Sequence, residues 1–375
     1  MKNNLEKSIY VSQPYLPDID EFIPYLRQIW DSKELTNNGP FHREFENKLA
    51  EFLGVPCISV FANGTLALIT AIKVLGISGE VITTPYSFVA TANSLVWNNI
   101  KPVFVDVESE FCTLDPEKIL ASVTSKTSAI LPVHVYGNPC NIERIAEIAE
   151  VNGLKVIYDA AHAFGVNYKE KSICNYGDIS ILSFHATKMF NTMEGGAIIC
   201  KDSQTKRQID HLKNFGFVNE TDVVAFGINS KMNEIQAALG ILQLKNYDIV
   251  VEKRRGITQK YREGLKEIEG ITFLPEAKEA NSNYSYFPVF VDEKIYGISR
   301  DQLYNKLITK GIYGRRYFYP LINEYTVYKN SPYSCKSELP IAKRASESVI
   351  CLPIFPELDL KDVDYIINCF NDFSK

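Results

Sequence analysis

The sequence predicts an α/β fold built on a mainly parallel sheet, joined to a smaller C-terminal α+β part. Three observations carry this. First, seven short runs are apolar almost throughout: CISVF (57–61), EVITT (80–84), KPVFVD (101–106), SAILPVHV (128–135), LKVIYD (154–159), DISILSF (178–184) and GAIIC (196–200). A strand that faces water on one side alternates, whereas one covered on both faces reads as a continuous apolar run. Second, amphipathic helical patterns lie between most of these runs, which is how a parallel sheet acquires its two covers. Third, beyond a long helical segment that starts at Met232 the texture changes to mixed strand-like and helical runs, which places a boundary within that segment near residue 248. The expected division is therefore 1–248 for the large domain and 249–375 for the small one.

The elements follow in order. HREFENKLAEFLG puts Phe41, Phe45, Leu49 and Phe52 on one helical face. LALITAIKVL is helical behind Asn63-Gly64-Thr65, and NIERIAEIAEVNG groups Ile142, Ile145 and Ile148 before Gly153 stops it. From Met232 one long helical segment, MNEIQAALGILQLKNYDIVVEKRRGITQKYREGLKEI, leads away from the sheet. Strand-like NYSYFPVFV (283–291), helical SRDQLYNKLITKG (299–311), strand-like IYGRRYFY (312–319) and a helical tail complete the smaller part.

Composition removes whole classes of function. At 375 residues, 46% hydrophobic and 23% charged, the chain is an ordinary packed globular protein. Its net charge of −5 offers no broad basic surface, so neither nucleic acid nor an anionic membrane is an expected partner. No apolar run reaches the roughly 20 residues of a membrane span. The opening MKNNLEKSIYVSQPYLP lacks the apolar centre and cleavage site of a signal peptide, and the eight cysteines form no Cys-x-x-Cys pair. A cytoplasmic protein with reduced thiols is the expectation. His134, His162 and His185 make no His-x-x-x-His pair, so no metal is expected. Gly-x-Ser-x-Gly, Gly-x-Gly-x-x-Gly and P-loop motifs are all missing.

What remains is a set of residues at strand ends. Asn63-Gly64-Thr65 sits between a strand and an apolar helix, where free N–H groups bind a phosphate. A plain helix cap uses the same residues. Asp159 ends LKVIYD and precedes Ala160-Ala161-His162; in an open parallel sheet, ligands bind beyond the carboxyl ends of strands. A structural ion pair is the competing reading. Lys188 lies in SFHATKMFNTMEGGAIIC (183–200), among Phe184, Met189 and Phe190, where loss of water would lower its pKa and leave a nucleophilic amine. Gly195-Gly196 then supplies a sharp, permissive turn. Arg315-Arg316-Tyr317-Phe318-Tyr319 pairs guanidiniums with aromatics, as a diphosphate next to a flat ring requires; a solvated edge strand reads the same way. Taken together, a phosphate-holding helix start, an acid at a strand end and a desolvated lysine are what pyridoxal phosphate needs.

The chain resembles, nearly end to end, the pyridoxal-phosphate sugar-nucleotide aminotransferases of the aspartate-aminotransferase fold (fold type I). The resemblance rests on LTNNGPFHREFENKLAEFLG (35–54), FANGTLAL (61–68), TTPYSFVATAN (83–93), PVHVYGNPCNI (132–142), VIYDAAHAFG (156–165), SFHATKMFNTMEGG (183–196) and GINSKMNEIQAALG (227–240). It is similar in particular to enzymes that aminate dTDP-4-keto-6-deoxyglucose at C4 for cell-surface polysaccharide such as O-antigen. The resemblance implies that Lys188 forms the Schiff base and Asp159 meets the pyridine nitrogen. Gly64, Thr65 and Ser183 contact the phosphate, Phe88 stacks on the ring, and His162 reaches the phenolic oxygen. Asn229 crosses a homodimer interface to the neighbouring cofactor's phosphate. His185, Arg315, Arg316 and Tyr317 fall at substrate positions, although Tyr317 stands where histidine is usual. L-glutamate is the implied amino donor, with pyridoxamine phosphate as the cofactor's second form. Amination at C3 of a 3-keto sugar and a non-catalytic regulatory role are the alternatives.

Overall fold

The computed structural model describes residues 8–335 and 337–374, so residues 1–7 of the opening stretch lie outside the described residues. The seven apolar runs become seven strands: β1 (Cys57–Phe61), β2 (Glu80–Thr83), β3 (Lys101–Phe104), β4 (Thr127–Leu131), β5 (Lys155–Asp159), β6 (Ile179–Ser183) and β7 (Gly196–Cys200). They form one sheet in the order β1-β7-β6-β5-β4-β2-β3. Every pair is parallel except the two made by β7, which runs antiparallel to β1 and β6. Helices cover both faces, which explains why the strands carry apolar residues on both sides. The runs 57–61 and 196–200 are strand throughout and the other five are trimmed where the chain leaves the ladder; β4 stops at Leu131 because Pro132 has no N–H to donate.

The helices that support this sheet start and stop on local signals. Helix α1 (Pro40–Leu53) ends at Gly54 in the left-handed region. Its face is narrower than the periodicity suggests: Phe41, Phe45 and Leu49 are buried, but Phe52 is 39% exposed and packs edge-on against Tyr247. Helix α2 (Gly64–Val74) is capped by Asn63, whose side chain accepts the Leu66 N–H at 2.9 Å. Helices α3 (Ala90–Trp97) and α4 (Ile142–Asn152) follow, the second capped by Asn141 and closed by Gly153.

The long segment after Met232 is two helices, α5 (Glu234–Lys245) and α6 (Tyr247–Leu265), not one. Asn246 breaks them. Its side-chain amide donates to the Leu242 carbonyl at 3.0 Å, and its backbone leaves the helical region. Beyond α6, a three-stranded antiparallel sheet of β8 (Ile271–Phe273), β9 (Pro288–Val291) and β10 (Val349–Cys351) gathers a second apolar core with Tyr261, Leu303 and Phe370. Two strand-like runs shrink here. NYSYFPVFV is strand only from Pro288, and IYGRRYFY only over Ile312–Tyr313. The short strand Ile9–Tyr10 pairs parallel with Ile312–Tyr313, placing Ile9 in this second core. Among the described residues, no helix is long and apolar enough to cross a membrane, and no group of three metal-ligating side chains occurs.

Candidate active site

The carboxyl ends of β5 and β6 and the loops after β1, β2 and β6 enclose a cavity of about 260 Å³. Into it project Gly64, Thr65, Phe88, Asp159, His162, Ser183, His185, Lys188 and Tyr317.

Asp159 is 4% exposed. Its Oδ2 accepts from Thr91 Oγ1 at 2.8 Å and its Oδ1 from the Ala161 N–H at 3.1 Å; Thr91 in turn pairs with Ser87 Oγ at 2.9 Å. Burial raises the Asp159 pKa, and the hydrogen bonds from Thr91 and Ala161 and the charge of Lys188 only partly offset it. No lysine or arginine stands within ion-pair distance of Asp159 among the described residues. A buried carboxylate held by two donors and lacking a cation is a carboxylate waiting for one.

Lys188 stands on the other side of the cavity. Burial lowers its pKa to about 8, against a weak upward pull from Asp159. Its Nζ meets the Tyr286 hydroxyl at 3.2 Å. His162 is buried and neutral, its pKa pulled well below the usual value by desolvation and then by Lys188. The backbone N–H of Tyr136 donates to its Nδ1 at 3.2 Å, which assigns the ring proton to Nε2. Tyr136 reaches that position with φ of 57°, in the left-handed region. Phe318 lies parallel to the imidazole, with ring centres 5.7 Å apart.

The start of α2 is pressed against the ends of two strands. A Cβ on Gly64 would come within 2.9 Å of the Ser183 Cβ, and one on Gly196 within 2.6 Å of the Gly64 nitrogen. Gly195 and Gly196 were expected to give a permissive turn, yet neither has positive φ; close approach, not backbone freedom, requires glycine there. Asn63 is occupied by the Leu66 N–H, and Gly64 and Thr65 at the start of α2 line the cavity together with Ser183, as a phosphate held at a helix start requires.

The remaining expected residues divide. Phe88 is 59% exposed at the rim, and His185 lies opposite, its Nδ1 2.8 Å from Thr187 Oγ1 and its Nε2 3.5 Å from Glu194. Tyr317 lines the wall, and its carbonyl accepts from the Tyr86 and Tyr136 hydroxyls. Arg315 is exposed and bridges to Cys351 through its backbone. Arg316 lies outside the cavity: its Nη1 donates to Asp301 at 2.8 Å and its guanidinium covers the rings of Tyr304 and Tyr319. Asn229 does not reach the cavity of its own chain; it is exposed, next to Asn214. Sequence reading missed Thr91, Ser87 and Tyr286. Thr91 and Ser87 sit in a run of small residues before and within α3, and Tyr286 sits in a stretch that read as strand. Neither pattern marks a residue that turns toward a site.

Comparison with known proteins agrees with this geometry. The family model for DegT/DnrJ/EryC1/StrS aminotransferases matches residues 17–371. The dTDP-4-amino-4,6-dideoxy-D-glucose transaminase of Shigella dysenteriae is 50% identical over 370 residues, covering 99% of this chain and 100% of that protein. Among solved structures, DesI in the presence of its TDP-sugar product superposes with a TM-score of 0.93 at 33% identity, over 97% of this chain and 92% of that one. Spr1654 of Streptococcus pneumoniae in its PLP-form does so with a TM-score of 0.90 at 25% identity, over 98% of each chain.

Proposed function

The chain belongs to the DegT/DnrJ/EryC1/StrS aminotransferase family, and we propose that it moves the amino group of L-glutamate to C4 of dTDP-4-keto-6-deoxy-D-glucose. It is a pyridoxal-phosphate-dependent sugar-nucleotide transaminase. The observation that carries the choice of sugar is half identity, along the whole chain, with a transaminase named for a sugar that bears its amine at C4 and has lost its C6 hydroxyl.

The residues present fit pyridoxal phosphate: a buried acid without a cation, an amine of lowered pKa and a glycine-lined helix start. When bound, that cofactor supplies an aldehyde to carry the amino group and a ring that accepts the electron pair left by a departing proton. Lys188 would hold the aldehyde carbon and, as a free amine of lowered pKa, would serve as the base that carries the proton. Asp159 keeps the ring nitrogen protonated, and Thr91 holds Asp159 in place. His162 offers its Nε2 proton to the phenolic oxygen. Gly64, Thr65 and Ser183 hold the phosphate, and Phe88 covers the ring. His185 and Tyr317, which line the cavity, and the exposed Arg315 would serve the sugar diphosphate. Arg316 serves Asp301 instead. Asn229, exposed beside Phe215 and Ile228, is the contribution to a second subunit, so the working unit is a homodimer. The product feeds cell-surface polysaccharide synthesis.

The test is to supply glutamate with dTDP-4-keto-6-deoxyglucose in one vessel and the 3-keto isomer in another, then locate the new C–N bond by NMR. An amine at C4 from the first vessel is expected. An amine at C3 from the second overturns the position, and no bleaching of the cofactor's absorbance by glutamate overturns catalysis itself.

A further inference from the structure

The Tyr286 hydroxyl is the one hydrogen-bonding partner of Lys188 Nζ among the described residues, at 3.2 Å, with Nζ 5.8 Å from the ring centre. Tyr286 does not belong to the strand ends that build the rest of the site. It comes from the segment just before β9, on the far side of α6. Its ring is fixed on several sides: His162 lies 4.8 Å from it between ring centres, Tyr136 5.7 Å and Tyr317 5.9 Å. It also forms the partition between the cofactor cavity and a neighbouring cavity of about 360 Å³ that holds Thr258 and Arg262. A side chain that served only as filler at such a partition would need no hydroxyl, and phenylalanine would fill the same space.

We propose that Tyr286 is a positioning residue for Lys188, holding the ε-amine so that its lone pair points at the cofactor's aldehyde carbon. The inference rests on the pyridoxal-phosphate reading above and adds to it a residue from the C-terminal part of the chain. A lysine side chain has four rotatable bonds, and an amine free to sample them spends little time in the attacking geometry. Burial pushes the Tyr286 hydroxyl pKa up, so the phenol keeps its proton and serves the amine in either state. Its oxygen accepts an N–H from the amine or the ammonium alike, which leaves the neutral amine's lone pair free. In the capture step, Nζ attacks the aldehyde carbon and the C–N bond forms. The aldehyde oxygen departs as water with both amine hydrogens, and no further reactant is needed.

The experiment compares wild type with Tyr286→Phe in two measurements on cofactor-free protein. The first is the rate of pyridoxal phosphate capture, followed by absorbance. The second is the affinity for pyridoxamine phosphate, which makes no bond to lysine. Loss of one hydrogen bond should slow capture about tenfold. Pyridoxamine phosphate affinity should stay within about twofold, because phosphate, ring nitrogen and phenolic oxygen keep their partners. Equal capture rates overturn the proposal, and so does a parallel loss of both quantities, which a purely structural role would produce. Neither measurement involves glutamate or a sugar, so the choice of donor and acceptor can fail without touching this result. Should Tyr286→Phe not fold, 3,5-difluorotyrosine at 286 keeps the volume and makes the hydroxyl more acidic. The pH dependence of capture should then shift, and an unshifted profile overturns the proposal.

Discussion

A partly buried group of ionisable side chains and a buried one are built on opposite rules in this molecule. In one, Glu46 on α1 accepts from Lys213 at 3.0 Å, from Lys206 at 2.9 Å and from the Val60 N–H at 2.8 Å. Asp210 takes Lys213 at 3.0 Å, Lys206 at 3.1 Å and Ser59 Oγ at 2.7 Å. Burial pushes both carboxyls up, but the two lysines outweigh it and both pKa values fall; Lys206 rises for the reciprocal reason. Every charge is paired, and the charged forms win. In the other group, burial decides each sign: Asp159 is raised, Lys188 and His162 are lowered. The first group is partly buried and the second buried, and both contain acid and base. Only the second leaves its members short of partners, and that shortage is what a cofactor fills.

The contrast breaks first at Lys188. Lys188→Ala should abolish turnover, by at least about 10³-fold, because among the described residues no other amine lines the cavity to form the bond or carry the proton. Cofactor-free Lys188→Ala should melt no lower than wild type, since it removes a buried amine that gains little from its surroundings. Steady-state kinetics and calorimetry check the two halves; residual activity of a few per cent would defeat the assignment. Asp159→Asn comes next. It should retain cofactor through the phosphate yet lose about 10²- to 10⁴-fold in rate, because an amide cannot keep the ring nitrogen protonated.

The paired group should respond the other way. Glu46→Gln leaves Lys206 and Lys213 with Asp210 as their one remaining carboxylate and should cost about 1–3 kcal/mol of stability, with activity per folded molecule unchanged. Chemical denaturation and active-site titration separate these. The two groups also predict pH dependence of the same sign in different windows. Glu46 and Asp210 have folded pKa values below their unfolded ones of 4.5 and 3.8. Their contribution is complete above those values and disappears as pH falls through the depressed folded pKa values. Lys188 titrates near 8 folded against 10.5 unfolded, so the unfolded chain binds more protons between those values and cofactor-free stability should rise with pH there. Lys188→Ala should flatten that rise. An unchanged slope would mean that Lys188 is not desolvated.

Much of this could be read before the structure, for physical reasons that differ by residue. The seven strands are legible because burial on both faces writes a continuous apolar run, and Asp159 and Lys188 stand out as charges inside or after such runs. Arg316 could not be placed, because a guanidinium among aromatics has the same sequence pattern whether it meets a diphosphate or Asp301, Tyr304 and Tyr319. Thr91 and Tyr286 were invisible for another reason. Each reaches the site through tertiary packing, from the first turn of α3 and from the segment before β9, and no local period encodes that convergence. Asn246 is intermediate: it breaks a helix that amphipathic spacing continues, through a side-chain bond to Leu242 that only its own chemistry predicts.

The smallest effect tests what the unpaired group still lacks within one chain. A phosphate carries close to two negative charges, and the cradle offers it the start of α2 and the Ser183 hydroxyl; among the described residues Lys188 is the one lysine or arginine lining the cavity, and the aldehyde takes it. Asn229 lies on a stretch whose apolar side chains face outward: Phe226 is 93% exposed, Val224 64% and Phe215 47%. An exposed apolar run of that kind marks a contact surface, and a two-fold dimer would use it reciprocally at two sites. Asn229→Ala should then weaken cofactor retention by about 1.5–3 kcal/mol, or roughly 10- to 150-fold, the worth of one hydrogen bond to a charged group. Folding stability without cofactor should hardly change. Dilution should release cofactor from wild type as dimers dissociate, and added cofactor should drive them back together by mass action. Light scattering and absorbance on the same sample decide it: a monomer at micromolar concentration with full cofactor occupancy would show that each chain completes its own site.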